Sequence, residues 1–149
     1  MTTIHEQIET RLDPETAFAY VADFANASTW DPGTATSERV GSGPVGAGAE
    51  YRLGVRFGSR VAPMTYRIDT FEPPHRVVLT GSGAGVSATD DIRFEPTATG
   101  TRIDYRADIR LGGLLGLLQP FLGSRFAKIG RDAAAGMRRT LDGLAGGAR

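Results

Sequence analysis

The stretch GGLLGLLQPFLGSRFAKIGRDAAAGMRRTLDGL, residues 112–144, decides how the rest of the chain must fold. As a helix its roughly thirty residues would rise about 1.5 Å each and span about 45 Å. At about 100° per residue, Leu115, Leu118, Leu122, Phe126, Ile129 and Met137 fall on one stripe. A neighbouring stripe holds only small residues: Gly112, Gly116, Gly123, Ala127, Gly130 and Ala134. Ser124, Arg125, Lys128, Arg131, Asp132, Arg138, Arg139 and Asp142 take the opposite, polar side. The face to be buried is therefore half large and half empty. An interior glycine costs a helix about 1 kcal/mol relative to alanine. Something must offset that cost: close approach of a sheet or partner helix, or room left for a ligand. Pro120 lacks an N–H and clashes with the preceding turn. Either the helix kinks there, or 113–119 is a separate short turn and the main helix starts with Pro120 in its first turn.

Such a helix needs an apolar surface to lie on, and the preceding chain supplies strands. Residues 3–12 alternate Ile4, Ile8 and Leu12 against His5, Gln7, Glu9 and Arg11, the pattern of a half-buried strand. Asp13 caps a helix with Pro14 at its first position, ending near Asn26, and 27–30 forms a short second helix before Pro32 and Gly33. Further strands follow at 34–40, 50–57, 61–71, 76–80, 86–95 and 101–111, with a tight hairpin at Gly58 and Ser59. The glycine-rich 81–85, GSGAG, reads as a loop; it lacks a phosphate-loop lysine and precedes a strand, which excludes nucleotide binding. On the last strand Ile103, Tyr105, Ala107 and Ile109 face in, and charges of alternating sign face out. Half-buried strands make antiparallel sheets, and one apolar sheet face must cover one apolar helix face. The expectation is an α+β fold: about seven antiparallel strands, two short helices after the first strand, and a long C-terminal helix, all in one domain over 1–149.

The 149 residues carry no net charge, 17 basic side chains against 17 acidic, so neither nucleic acid nor an acidic membrane is implied as partner. With no cysteine, disulfides, thiolate metal sites and a cysteine nucleophile are excluded. Residues 1–7 are polar and no run approaches a membrane span, which makes a cytoplasmic protein the expectation.

Four stretches resemble a known superfamily: DPETAFAYVADFANASTW at 13–30, GPVGAGAEY at 43–51, FEPPHRVVL at 71–79 and TGTRIDYRADIRLGG at 99–113. Their order and spacing over nearly the whole chain resemble the START-like helix-grip (SRPBCC) superfamily, in its polyketide cyclase/dehydrase and lipid-transport branch. The resemblance implies a curved antiparallel sheet gripping the long helix, with an apolar cavity between. It also implies a hydrophobic ligand such as a lipid or polyketide, bound with or without a reaction.

Candidate chemistry is sparse. His5 lies on the polar side of its strand and His75 in a turn, neither with a partner at a telling spacing; no cluster suggests a metal, and no pattern implies a cofactor. Asp90 stands out. Ile92 and Phe94 must face in, so alternation aims Asp90 at the cavity, where an unpaired carboxylate is costly or its pKa rises. It is either a structural carboxylate bonded to a tyrosine or loop backbone, or a general acid/base or ligand anchor. Tyr51, Tyr66 and Tyr105 also point in, Met64 shares their face, and Trp30 can close a mouth. With Leu122, Phe126 and Ile129 these residues form the expected ligand-binding set. The preferred reading is binding of a small hydrophobic molecule. The alternatives are a polyketide cyclase, aromatase or dehydratase using Asp90 and a pocket tyrosine, and an interaction module. In the latter the 114–122 segment, from Leu114 to Leu122, meets a membrane surface or a second subunit, as in a homodimer, and must expose an apolar patch.

Overall fold

The computed structural model describes residues 1–147. Strand β1 (Thr2–Thr10) leads to helix α1 (Pro14–Ala22), a single 3-10 turn (Phe24–Asn26) and α2 (Ala27–Trp30). Six strands follow: β2 (Thr34–Val40), β3 (Glu50–Phe57), β4 (Arg60–Glu72), β5 (Arg76–Gly83), β6 (Val86–Pro96) and β7 (Thr101–Leu111). A 3-10 segment (Gly113–Phe121) then precedes helix α3 (Gly123–Gly147). The strands form one curved antiparallel sheet in the order β1-β7-β6-β5-β4-β3-β2. Only β1 leaves chain order, pairing with β7, and β1 is the strand that packs along the C-terminal helix.

Local chemistry explains the elements. The Asp13 carboxylate accepts from Thr16 N–H at 3.0 Å and from the Thr16 hydroxyl at 2.9 Å, satisfying donors that a helix start leaves free. Helix α1 then buries Phe18 between Phe71 and Phe94, with ring centroids 5.3 and 5.2 Å away. Period-two alternation sends Ile103 and Ala107 of β7, and Ala88, Asp90, Ile92 and Phe94 of β6, to the inner face. The outer face is laced with polar pairs, among them the Arg102–Glu9 ion pair at 3.1 Å and the His5–Asp104 hydrogen bond at 2.7 Å. His75 is exposed in its turn.

The structure corrects the sequence reading at several points. Pro120 neither kinks a continuous helix nor opens one: it sits inside the 3-10 segment, and α3 begins at Gly123. Gln119 holds the two apart. Its amide donates to the Ile109 carbonyl at 2.7 Å and to Thr2 Oγ1 at 3.0 Å, and accepts from Leu111 N–H at 3.3 Å. The segment is thereby folded back onto the end of β7. The proposed apolar stripe breaks accordingly. Phe126 and Met137 are buried, but Leu115 and Leu118 are exposed because they do not lie on α3, and Ile129 is 40% exposed where the sheet does not reach it. Leu114 (85% exposed), Leu117 and Phe121 (81% exposed) add to this surface, the apolar patch that an interaction module requires. Among the described residues no helix is long and apolar enough to cross a membrane.

The small-residue stripe also divides. A Cβ on Gly130 would overlap Ile4 Cγ2 of β1, so this glycine marks a tight contact, whereas a Cβ on Gly123 would meet nothing within 4 Å. Gly81 and its neighbours are not a loop. Strand β5 runs through Gly83, and the turn is confined to Ala84 and Gly85, because the Tyr66 ring from β4 covers Gly81 and replaces its missing side chain. Strand β1 stops at Thr10, two residues earlier than expected, though Leu12 is buried.

Candidate functional site

A cavity of about 140 Å³ lies between the inner face of the sheet and the first half of α3. An apolar hole of roughly 150 Å³ is large enough for a benzene ring. Strands β4, β6 and β7 contribute Met64 and Tyr66, Ala88 and Asp90, Tyr105 and Ala107. Helix α3 contributes Phe126, Ile129, Gly130, Ala133, Ala134 and Met137. Phe24 and Trp30 close the side nearest α2. Trp30 packs edge-on against Tyr105 at 6.0 Å and against Phe24 at 6.2 Å, and Phe24 meets Tyr66 at 5.3 Å. Aromatic rings therefore line one whole side, the geometry of a wall for a flat apolar molecule.

An outer groove leads to this cavity between the β3–β4 hairpin and α3. Gly33, Arg56, Phe57, Val86, Phe126 and Ile129 line both spaces and frame the mouth. Exposure of Ile129 follows from this position: it stands at an opening rather than over the sheet.

Most of the residues expected at the site meet there: Trp30, Met64, Tyr66, Asp90, Tyr105, Phe126 and Ile129. Tyr51 and Leu122 do not. Tyr51 faces in but lies beyond Phe24, 6.4 Å away, with the Arg39 guanidinium 5.7 Å over its ring. Its hydroxyl is buried without a hydrogen-bond partner among the described residues, and burial, with the nearby Asp23 charge, pushes its pKa up to about 12. Leu122 precedes α3 and borders the outer groove only. Among the cavity residues that the sequence reading did not assign are Glu6, Phe24 and Asp31. Glu6 is inward by strict alternation between Ile4 and Ile8, a signal passed over because the residue is charged. Phe24 carries no such signal. Asp31 is invisible in sequence because its carboxylate serves a turn, accepting from Gly33 N–H at 2.8 Å and Thr34 Oγ1 at 2.9 Å. Burial raises the Asp31 pKa against those hydrogen bonds.

Asp90 is the chemical centre. It is 6% exposed, and its Oδ2 accepts a hydrogen bond from the Tyr105 hydroxyl. Loss of hydration raises its pKa from 3.8 to about 7; the Tyr105 hydrogen bond opposes the rise, and the charges of Asp31 and Asp108 add to it. The two phenols respond to the same surroundings: burial and the Asp90 charge hold Tyr66 and Tyr105 well above the usual tyrosine range. Near neutral pH the cavity thus presents neutral phenols and a carboxyl poised between its two forms. Such a group can hold a polar atom of an otherwise apolar ligand, or move a proton to or from it. Trp30 Nε1 is buried without a partner among the described residues. Among those residues no group of three or more histidines and carboxylates could hold a metal.

Residues 1–145 match the sequence profile of a family described as polyketide cyclase / dehydrase and lipid transport. Solved structures of the same shape include TTHA0849 from Thermus thermophilus, at a TM-score of 0.79 and 14% identity over 97% of this chain and 98% of that one. A START superfamily protein from Mycobacterium smegmatis superposes at a TM-score of 0.75 with 13% identity over 100% of both chains. No functionally curated protein matches the chain.

Proposed function

The chain belongs to the polyketide cyclase/dehydrase and lipid-transport family, and from that premise we propose that it binds a small hydrophobic molecule between the sheet and α3. The carrying observation is the cavity itself, walled by aromatic rings and small helix residues and reached through a groove. A void of this size left empty forfeits packing, since its lining atoms lack partners on one side; a bound apolar molecule restores them. Trp30, the single tryptophan, lines the cavity and reports on its contents. Titrating the protein with one-ring apolar probes should give a saturable change in Trp30 fluorescence. Filling the space with Ala134→Phe should abolish it while the fold persists. Native mass spectrometry of protein from its own host should show a retained ligand. A folded protein with no saturable response and no retained mass would overturn the proposal.

A second reading, proton transfer on a polyketide-like substrate, is favoured by the position of Asp90 near neutrality and its contact with Tyr105. Asp90→Asn should then reduce turnover by about 10²-fold or more while apolar ligands still bind. Unchanged turnover in that variant would leave binding alone.

A further inference from the structure

Tyr66 lies across β5 in the cavity wall only because residue 81 is glycine. Tyr66 on β4 pairs with Gly81 on β5, and Gly81 pairs with Ala88 on β6, two residues before Asp90. A Cβ on Gly81 would lie 2.5 Å from both Cε1 and Cζ of Tyr66, too close for any real contact. The ring therefore lies flat across β5 and carries its hydroxyl towards β6. Tyr105 approaches Asp90 from the other side, on β7, and binds Oδ2. The carboxyl is thus flanked by two phenols, and they do different things. The Tyr105 hydroxyl is committed to Asp90. Tyr66 is only 8% exposed and lines the cavity, and its hydroxyl is not among the sealed, unpartnered polar atoms of the described residues but opens onto that space. Nor does any described residue donate to or accept from Asp90 Oδ1.

Donors and acceptors can then be counted. Because Oδ2 accepts from Tyr105, the hydrogen of a neutral Asp90 carboxyl sits on Oδ1, facing the cavity. Tyr66 offers its phenolic hydrogen into the same space. The groups around Asp90 favour this neutral form. Asp31 at the end of α2 and Asp108 on β7 both act to keep the proton on. Glu6 from β1 adds another carboxylate to the lining, and Arg56, the one base in the lining, stands at the mouth with its Nε given to the Pro32 carbonyl at 3.1 Å. Helix α3 contributes only apolar and small residues. Both donors open onto the cavity, where a ligand that accepts from them is favoured over one that cannot.

We propose that the ligand carries a carbonyl oxygen, seated between Tyr66 Oη and Asp90 Oδ1, and that Gly81 is the positioning residue that brings Tyr66 into that pair. The proposal rests on the ligand-binding reading above and names the ligand's polar group. A carbonyl oxygen has two lone pairs and no hydrogen, so it satisfies both donors at once. The rest of such a molecule is apolar, to match the aromatic wall.

The test uses three probes of one shape: acetophenone, α-methylstyrene, which replaces the carbonyl oxygen by CH2, and α-methylbenzylamine. Each is titrated by Trp30 fluorescence and ligand-observed NMR, well below and well above the Asp90 value of about 7. At the lower pH the native protein should prefer acetophenone to α-methylstyrene by about tenfold. That preference should shrink as the pH rises and Oδ1 loses its hydrogen, while α-methylstyrene binds equally at both pH values. Tyr66→Phe, which keeps the ring and removes the hydroxyl, should remove most of the preference by weakening acetophenone binding. Gly81→Ala should also remove the preference, by displacing the ring, whatever it does to α-methylstyrene affinity; should that variant not fold, Tyr66→Phe and the pH profile decide alone. Equal binding of ketone and hydrocarbon by the native protein overturns the proposal and leaves the ligand-binding reading standing. So does tightest binding of the amine with affinity rising through the Asp90 titration, which would make the site an acceptor for cations. Failure of all three probes to bind overturns both.

Discussion

The two halves of α3 cover the same sheet in opposite ways. The second half is clamped. Leu141 is fully buried, and Gly136 lies so close to the Trp30 carbonyl that a Cβ there would overlap it. Thr140 Oγ1 donates to the Thr29 carbonyl at 3.1 Å, and Asp142 accepts from Thr10 Oγ1 at 2.7 Å and from Arg11 N–H at 3.0 Å. The first half stands off. Phe126 is its one large buried side chain, Ala127 is exposed, and beneath it lies the cavity. Small residues therefore mean different things along one helix. Gly130 and Gly136 admit backbone or side chains of other elements, while Ala133 and Ala134 border empty space. The helix serves as an anchor at one end and as a cavity wall at the other.

The largest effect should come from the anchor. Leu141→Ala removes a fully buried side chain from a packed site and should cost about 2–5 kcal/mol in urea melts. A loss below about 1 kcal/mol would mean that the second half of α3 is no better held than the first.

Next comes a pair of carboxylates, one at each end, with opposite signs. Asp90 under the first half has a folded-state value of about 7, against the ordinary 3.8 of an aspartate in an unfolded chain. Between these values the folded chain holds a proton that the unfolded chain has released, so stability falls as pH rises through that window and is flat above it. Asp90→Asn should remove this slope and raise stability at neutral pH, by at most about 4 kcal/mol and by less once the amide's own burial is counted. Asp142 under the second half behaves in reverse. Burial acts to raise its pKa, but the hydrogen bonds from Arg11 and Thr10 win and hold it below the ordinary carboxylate range. Its contribution is present at neutral pH and is lost as the pH falls through its lowered folded value. Asp142→Ala should cost about 1–3 kcal/mol at neutral pH and progressively less in acid. Thermal melts of both variants across the pH range check the two signs. Slopes of the same sign would erase the distinction between a buried ligand-facing acid and a structural one.

Much of this contrast was legible in sequence, and the parts that were not have a common cause. Alternation assigns a face, so β6 and β7 placed Asp90 and Tyr105 inward from residue pattern alone. Alternation says nothing of position along the sheet, which is why Tyr51 shares the inward face yet lies behind Phe24, away from the cavity. Helical periodicity has the matching weakness. Counted across Pro120 in one register, it joined Leu115, Leu118 and Leu122 to Phe126, although Gln119 ties the earlier segment to β7 and α3 starts afresh at Gly123. Gly81 read as a loop residue because a strand glycine gains its meaning from a ring on the neighbouring strand. Asp31 went unremarked and Asp142 read as a surface residue because their roles depend on partners brought by tertiary packing.

The smallest expected effect is the sharpest probe of the standoff. Ile129 carries the same periodic signal as Met137, and on the helical wheel alone both should be core. The structure leaves Ile129 at the mouth, 40% exposed and shared between cavity and groove. Truncating a side chain that already touches water forfeits only part of its transfer free energy and leaves no sealed void, since solvent can enter the space. Ile129→Ala should therefore cost less than about 1 kcal/mol in the same urea melts. Its consequence should appear instead in exchange of the occupant. With a smaller gatepost, an apolar probe should enter and leave faster, and its dissociation rate by stopped-flow Trp30 fluorescence should rise more than its equilibrium affinity changes. A stability loss equal to that of Leu141→Ala, with probe kinetics unaltered, would place Ile129 in the core. The first half of α3 would then be clamped like the second, and the opening beside Ile129 would not be the route into the cavity.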